Sequence, residues 1–325
     1  MASQPEWRIP FGLQPKAEDW GFDLDNALMS VVSVTSHVPE EAFTAETLGT
    51  LRQGNGVVIR EDGLILTIGY LLTEAEDIWL RANDGRTFQG HVLAYDQETG
   101  FGLVQALAHL DLPALPLGSS ANARVGDAVI VAGAGGKEKS VAAHIAAKQE
   151  FAGYWEYVLD EAIYTIPAHP NWGGTAVIND KGQLIGIGSL HIEQSESGDQ
   201  RGHLNMVVPI DLLKPIFDDL VTLGRRRTPP KPWLGLYASE VEDRVVVVGR
   251  SQRGPARRAD LRNGDIIVAV AGQPISSLAA LYRRIKEQGE AGVEIPLTIH
   301  RDGKTFELLV PSSDRARMFK APRLH

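Results

Sequence analysis

The sequence predicts a mainly-β chain of two or three domains, on three observations. Short apolar, β-branched runs recur from residue 30 to residue 208, separated by Gly-containing turns, at the density of a barrel or sandwich. Within them, Ala176-Val177-Ile178 and Leu184-Ile185-Gly186-Ile187-Gly188 flank an Asn179-Asp180-Lys181-Gly182 turn, which reads as a β-hairpin. After Gly224 a Pro-rich segment interrupts the pattern, and new short strands with one helix follow. With 325 residues, 43% of them hydrophobic, the chain can bury a sizeable core.

Composition narrows the function classes. A net charge of -9 disfavours non-specific nucleic-acid binding. There is no cysteine, which excludes disulfides, thiolate chemistry and cysteine-based zinc sites. No His pair has the spacing of His-Glu-x-x-His, and Gly133-Ala134-Gly135-Gly136 lacks a following apolar-periodic helix, so neither a metal nor a phosphate cofactor is expected. No window approaches eighteen consecutive apolar residues, so no membrane span is expected. The first ten residues carry no basic segment followed by an apolar one. That pattern implies a cytoplasmic protein if residue 1 is the natural start, and a periplasmic one if a signal peptide has been removed.

In chain order, residues 1–24 form an arm rich in Pro, Trp and Phe. Asp25 to Leu28 starts a short helix and Ser30 to Val34 the first strand of a domain spanning 25–223. Residues 37–50 read as a polar loop. Strands are expected at 54–59, 64–67, 78–81, 87–94, 102–107, 127–132, 140–147, 157–159, 176–178, 184–190 and 204–208. Pro209 to Leu220 reads as a closing helix broken at Pro215. Residues 224–231, with Arg225-Arg226-Arg227, read as a solvated linker stiffened by proline. A second domain spans 232–314, with a helix from Ser277 to Gln288, and 315–325 is a basic tail.

The stretch His169-Pro170-Asn171-Trp172-Gly173-Gly174, with the hairpin after it, resembles the nucleophile loop of the HtrA (Deg) family of trypsin-like serine proteases. The family pattern there is Gly-Asn-Ser-Gly-Gly-Pro-Leu followed by the same hairpin. Gly54-Asn55-Gly56-Val57-Val58-Ile59 is similar to the family's Gly-Ser-Gly-Val/Ile-Val-Ile strand. From residue 232, Trp233-Leu234-Gly235-Leu236, Gly254-Pro255-Ala256 and Leu261-Arg262-Asn263-Gly264-Asp265-Ile266-Ile267 resemble a bacterial PDZ domain, with Asp260 where Gly is usual. The resemblance implies a mainly all-β fold: a trypsin-like double β-barrel followed by a PDZ domain (α+β, a small partly open barrel). It also implies that the aromatic arm joins chains into a trimer.

The same resemblance locates the catalytic positions. The family's His falls on Tyr70 of Ile65-Leu66-Thr67-Ile68-Gly69-Tyr70, its Asp on Gly100 of Asp96-Gln97-Glu98-Thr99-Gly100, and its Ser on Trp172. A phenol is a poor base near neutrality, Gly orients nothing, and an indole is no nucleophile. Pro170 stands where an oxyanion donor is supplied and has no N–H; one such donor is worth on the order of 10²–10³ in rate. Ser189, Thr175, Ser140 and His169 are the nearest stand-ins and read as structural. The expectation is therefore an inactive family member, a peptide-binding scaffold with no catalytic residues, whose Trp172 packs with Tyr70 and Phe101 as an aromatic plug. The alternative is an HtrA-type serine endopeptidase with rearranged catalytic residues. Trp233-Leu234-Gly235-Leu236 matches the loop that captures peptide C-termini. Expected partners are protein or peptide C-termini, further copies of the chain, and an active HtrA paralogue.

Overall fold

The structure, a computed structural model, describes residues 7–195 and 201–320. After α1 (Leu24–Met29), the strands β1 (Val31–His37), β2 (Leu51–Arg60), β3 (Leu64–Ile68), β4 (Asp77–Arg81), β5 (Thr87–Tyr95) and β6 (Phe101–Ala106) close a barrel in the order β1-β2-β3-β6-β5-β4. A short helix, α2 (Ala45–Leu48), interrupts the expected polar loop. A second barrel is built from β7 (Ala128–Ala132), β8 (Ser140–Gly153), β9 (Tyr157–Ile166), β10 (Ala176–Ile178), β11 (Leu184–Ser195) and β12 (Arg201–Pro209), in the order β10-β11-β12-β9-β8-β7. Side chains of β4 alternate outward and inward, with Ile78 and Leu80 buried between exposed neighbours, the period of a strand with one wet face. The run Val57 to Ile59 is buried throughout.

The segment after β12 is two 3-10 turns, Ile210–Leu212 and Lys214–Ile216, leading into α3 (Phe217–Leu223). Pro215 sits in the second turn, where no α-helical bond is broken. Gly224 then ends α3 with φ 69°, the left-handed cap that glycine favours.

The chain divides into two compact units. The first holds both barrels and extends to Arg226; the second comprises Arg227–Lys320 together with Glu150–Asp160, the tip of the β8–β9 hairpin. The second unit carries β13 (Leu236–Val241), β14 (Arg244–Arg250), α4 (Pro255–Arg258), β15 (Ile266–Val270), β16 (Gln273–Pro274), α5 (Leu278–Glu287), β17 (Glu294–Arg301) and β18 (Lys304–Pro311). Its sheet runs β13-β14-β15-β17-β18, with β16 on β15. Leu278, Leu281, Tyr282 and Ile285 of α5 are buried, an i, i+3, i+4, i+7 stripe laid on the sheet. Ser277 caps that helix by accepting the Ala280 N–H. Asp260 keeps the left-handed backbone of the glycine usual there, with φ 57°, and its carboxylate pairs with Arg262 and Arg301.

Strands β8 and β9 run well past the expected 140–147 and 157–159. Lys148-Gln149-Glu150 breaks the apolar alternation, which hides a hairpin whose tip belongs to the second unit, far away in sequence.

Nor is Arg226 solvated linker. Its guanidinium meets Asp96 through Nε at 2.6 Å and Nη2 at 2.8 Å, with Glu98 at 3.7 Å. Asp96, buried, also accepts the N–H and hydroxyl of Thr99. Removing this carboxylate leaves the Arg226 guanidinium and the Thr99 donors without their partner, and breaking such a buried pair costs about 3 kcal/mol. Asp96→Ala should therefore lower unfolding stability by about that amount in urea titration, whereas the same change at the exposed Asp62, paired with Arg60, should cost under about 1 kcal/mol.

Candidate functional site

The loop after β9 is held from below by His169. Its ring is fully buried; Nε2 lies 2.7 Å from the Lys139 carbonyl and Nδ1 accepts the Asn171 N–H at 3.1 Å. One nitrogen donates and one accepts, so the ring is neutral, and burial pushes its pKa below the ordinary value. Asn205 closes the clamp, accepting the His169 N–H and donating to its carbonyl. His169 is thus structural.

From the first barrel, Asn55 grips the same loop. Its N–H donates to the Gly173 carbonyl at 2.8 Å, and its side-chain amide donates to the carbonyls of Asn171 and Gly173. The Asn55 Oδ1 accepts the Ala134 N–H, and its carbonyl accepts the Thr67 hydroxyl. Gly174 has φ 76°, and a Cβ there would stand 1.9 Å from the Asn55 carbonyl oxygen, so no side chain fits.

The three positions carried over from the family come together here. Gly69 donates its N–H to the Gly100 carbonyl at 2.6 Å, which places Gly100 behind Tyr70. The Tyr70 hydroxyl donates to the Ser189 carbonyl at 2.9 Å and has the Trp172 side chain as a hydrogen-bond partner. Burial pushes the phenol above its ordinary value, against the opposing effect of Trp172, so it does not ionise at physiological pH. Gly100 has φ 82°, in the left-handed region that glycine adopts most readily. Pro170 is exposed at the loop's edge. Thr175 and Ser140 donate their hydroxyls to the carbonyls of Trp172 and Gly136.

The aromatic plug is not what forms. Phe101 points into the core of the first barrel, fully buried. Trp172 is only partly buried and leans on His191, with ring centroids 5.2 Å apart. His191 in turn reaches His203, Nε2 to Nδ1 at 3.0 Å; burial first, and His203 second, hold His191 below its ordinary pKa. The small neighbours Gly173 and Gly174 give Trp172 no room inward, because Tyr70 and Asn55 already fill it. A cleft of about 660 Å³ therefore stays open, with Trp7, Ser33, Asn55, Tyr70, Asn171 and Trp172 among its lining. Among the described residues no group of three His, Asp or Glu is placed to hold a metal, and no helix is long and apolar enough to cross a membrane.

The second candidate site, Trp233 to Leu236, contributes backbone. Trp233, Leu234 and Leu236 are buried, with Trp233 exchanging two backbone hydrogen bonds with Ser313. Gly235 has φ 74°, and a Cβ would meet Gly254 Cα at 2.8 Å. The amides of this loop converge on a carboxylate that sequence reading missed, that of Glu156. Burial raises its pKa to about 7, opposed by the amides of Leu234, Leu236 and Gly235 and by Arg315.

Two tests follow from this geometry. Gly174→Ala should destabilise the barrels by more than about 3 kcal/mol in urea, from a steric clash and a strained φ together. For Glu156, a folded pKa above the unfolded value means that its contribution is fully present below the ordinary 4.5 and is lost as pH rises through about 7. The melting temperature of the parent should therefore fall relative to Glu156→Gln between pH 5 and pH 8; parallel curves would refute the assignment.

Comparison with known proteins agrees with this architecture. Residues 54–187 match the model of the trypsin-like peptidase domain, and residues 232–311 match that of the PDZ domain. The serine protease HhoA of Synechocystis sp. is 29% identical over 287 residues, covering 80% of this chain and 70% of the relative. Serine endoprotease DegS of Escherichia coli is 26% identical over 270 residues, covering 79% and 75%. The chain spans 56% of the periplasmic serine endoprotease DegP-like relative of Halomonas elongata, at 27% identity. The solved structure of the HtrA-type protease AlgW with a decapeptide matches 93% of this chain and all of its own, with TM-score 0.54 at 20% identity. That of a serine endoprotease from Yersinia pestis matches 90% and 98%, with TM-score 0.54 at 22% identity. These relatives overturn one expectation, that the chain is not an enzyme: each is named a protease or endoprotease, and the sequence matches run through both domains. With a trypsin-like peptidase domain of two closed barrels followed by a PDZ domain, the chain has the domain order of the HtrA-type proteases to which it is similar.

Proposed function

We propose that the chain is an HtrA-type serine endopeptidase that takes peptides and unfolded segments as substrates and recognises C-termini through its PDZ domain. One observation carries this: relatives named as serine proteases align across about four fifths of the chain, through both domains in the same order. The open cleft beside Trp172 supports it, with the hydroxyl-bearing Ser33, Thr35, Tyr70 and Thr87 among its lining. Tyr70, Gly100 and Trp172 supply no nucleophile and base, so hydrolysis draws on another set. Thr175 and Ser140 are committed to backbone carbonyls, and His169 is locked neutral. Ser33, which lines the cleft, and Ser189, whose carbonyl holds Tyr70, are the serines to examine. His191 is the imidazole beside Trp172, and burial lowers its pKa, which leaves the ring neutral at physiological pH.

A serine-directed fluorophosphonate probe, followed by peptide mapping and a casein assay, tests the proposal. The expected outcome is one labelled serine in the cleft and slow casein cleavage that His191→Ala reduces at least about a hundredfold, the low end for general-base loss. No label and no cleavage would sink it.

Assembly through the arm belongs to the same proposal. Ile9 anchors the arm, buried in the second barrel, while Phe11 is 82% exposed, an apolar side chain offered outward. Deleting residues 1–24 should reduce the mass seen by light scattering from a trimer to a monomer; an unchanged mass would exclude the arm as the contact.

A further inference from the structure

The tip of the β8–β9 hairpin lies on the second unit in the manner of a bound peptide. The Tyr154 carbonyl accepts the N–H of Ala238 at 3.0 Å. Two residues on, the Glu156 carboxylate accepts the Leu236 N–H at 2.7 Å and the Leu234 N–H at 3.0 Å. Residue 154 stands opposite 238 and 156 opposite 236, so the loop runs antiparallel to β13. That is the geometry of strand addition at a sheet edge, with a carboxylate at the terminal position. In a captured C-terminus the last carboxylate would take those amides; here a side chain does.

The loop is held on every side. Ala152 and Val158 pack on the core of the second unit. Tyr154 meets Tyr237 of β13 edge-on at 5.8 Å. Arg283 of α5 pairs with Glu150 at 2.6 Å and Asp160 at 2.5 Å. Hence β13 and α5, the two elements flanking the carboxylate loop, both contact the same eleven-residue segment, Glu150–Asp160. Glu156 itself is 9% exposed and adopts φ 62°, a backbone conformation uncommon for a residue that is not Gly, Asn or Asp. A free turn would favour Gly or Asn there. What Glu supplies is a carboxylate of the right reach, at a place where an ionised group is costly to bury without donors.

We propose that Glu156 is a built-in surrogate for a peptide's C-terminal carboxylate, and that the loop Glu150–Asp160 occupies the PDZ groove until an extended peptide with a free C-terminus displaces it. This rests on the reading of Trp233 to Leu236 as a carboxylate-binding loop. The entrant it selects must offer both a terminal carboxylate and a strand to pair with β13, because the resident segment already satisfies both. A peptide competing with a loop seated about 99% of the time binds about 100-fold more weakly than its intrinsic affinity.

The test uses the full-length chain and an immobilised library of decapeptides randomised over their last four residues, made with either a free carboxylate or an amide C-terminus. Glu156→Ala should raise capture on the free-carboxylate library at least about tenfold over the parent and leave capture on the amide library unchanged. Glu156→Gln, which keeps the side chain's size, should move it in the same direction by less. So should Arg283→Ala, which loosens the loop from α5 without touching the carboxylate loop, and these two variants decide the matter if Glu156→Ala does not fold. Equal, measurable capture by parent and variants would overturn the proposal while leaving peptide recognition standing. No capture by any of them would remove peptide recognition itself, and the proposal with it. Gains on both libraries alike would show that the loop is only a brace, not a carboxylate surrogate.

Discussion

The double barrel depends on how Asn55 satisfies buried backbone. One residue of the first barrel offers a main-chain N–H, a main-chain carbonyl, a side-chain carbonyl and a side-chain amide, and all four are used. Three of them bind segments of the second barrel, at Asn171, Gly173 and Ala134. Buried amides left without partners would cost roughly 1–3 kcal/mol each, so the turn at Gly173-Gly174 is tied to this contact. The turn then dictates where Trp172 stands. Because Gly174 allows no Cβ and Tyr70 fills the space over Gly173, the indole is directed toward His191 and the cleft remains open.

Two buried carboxylates show the same rule in different forms. Asp96 is met by a guanidinium and by the two donors of Thr99, so its charge is neutralised where it lies. Glu156 is met by neutral amides, with Arg315 as a more remote charge. Amides stabilise an anion less than a cation does, and burial therefore wins and raises its pKa. A carboxylate held in this way is released more readily than one in a paired site, which suits a contact that a competitor can replace.

Relatives that share a fold do not by themselves reveal which side chains do the chemistry. Here, sequence matches through both domains support the protease reading, and they leave open which side chains of the cleft carry the chemistry. The chemistry proposed for the cleft accordingly rests on serines and an imidazole near Tyr70 and Trp172.

Much of the architecture was legible in the sequence because strand periodicity and turn residues are local signals. The Asn-Asp-Lys-Gly hairpin, the α5 stripe with its Ser277 cap, and the glycines at 174 and 235 all follow from rules spanning a few residues. What only the tertiary structure decided were contacts between residues far apart in the chain: the Arg226–Asp96 pair inside an apparent linker, Trp172 against His191 instead of Phe101, and Glu156 on the amides of Leu234 and Leu236. No periodicity records these. Each arises because a charged or bulky group must find partners wherever the fold leaves it, and for Glu156 those partners lie 78 to 80 residues further along.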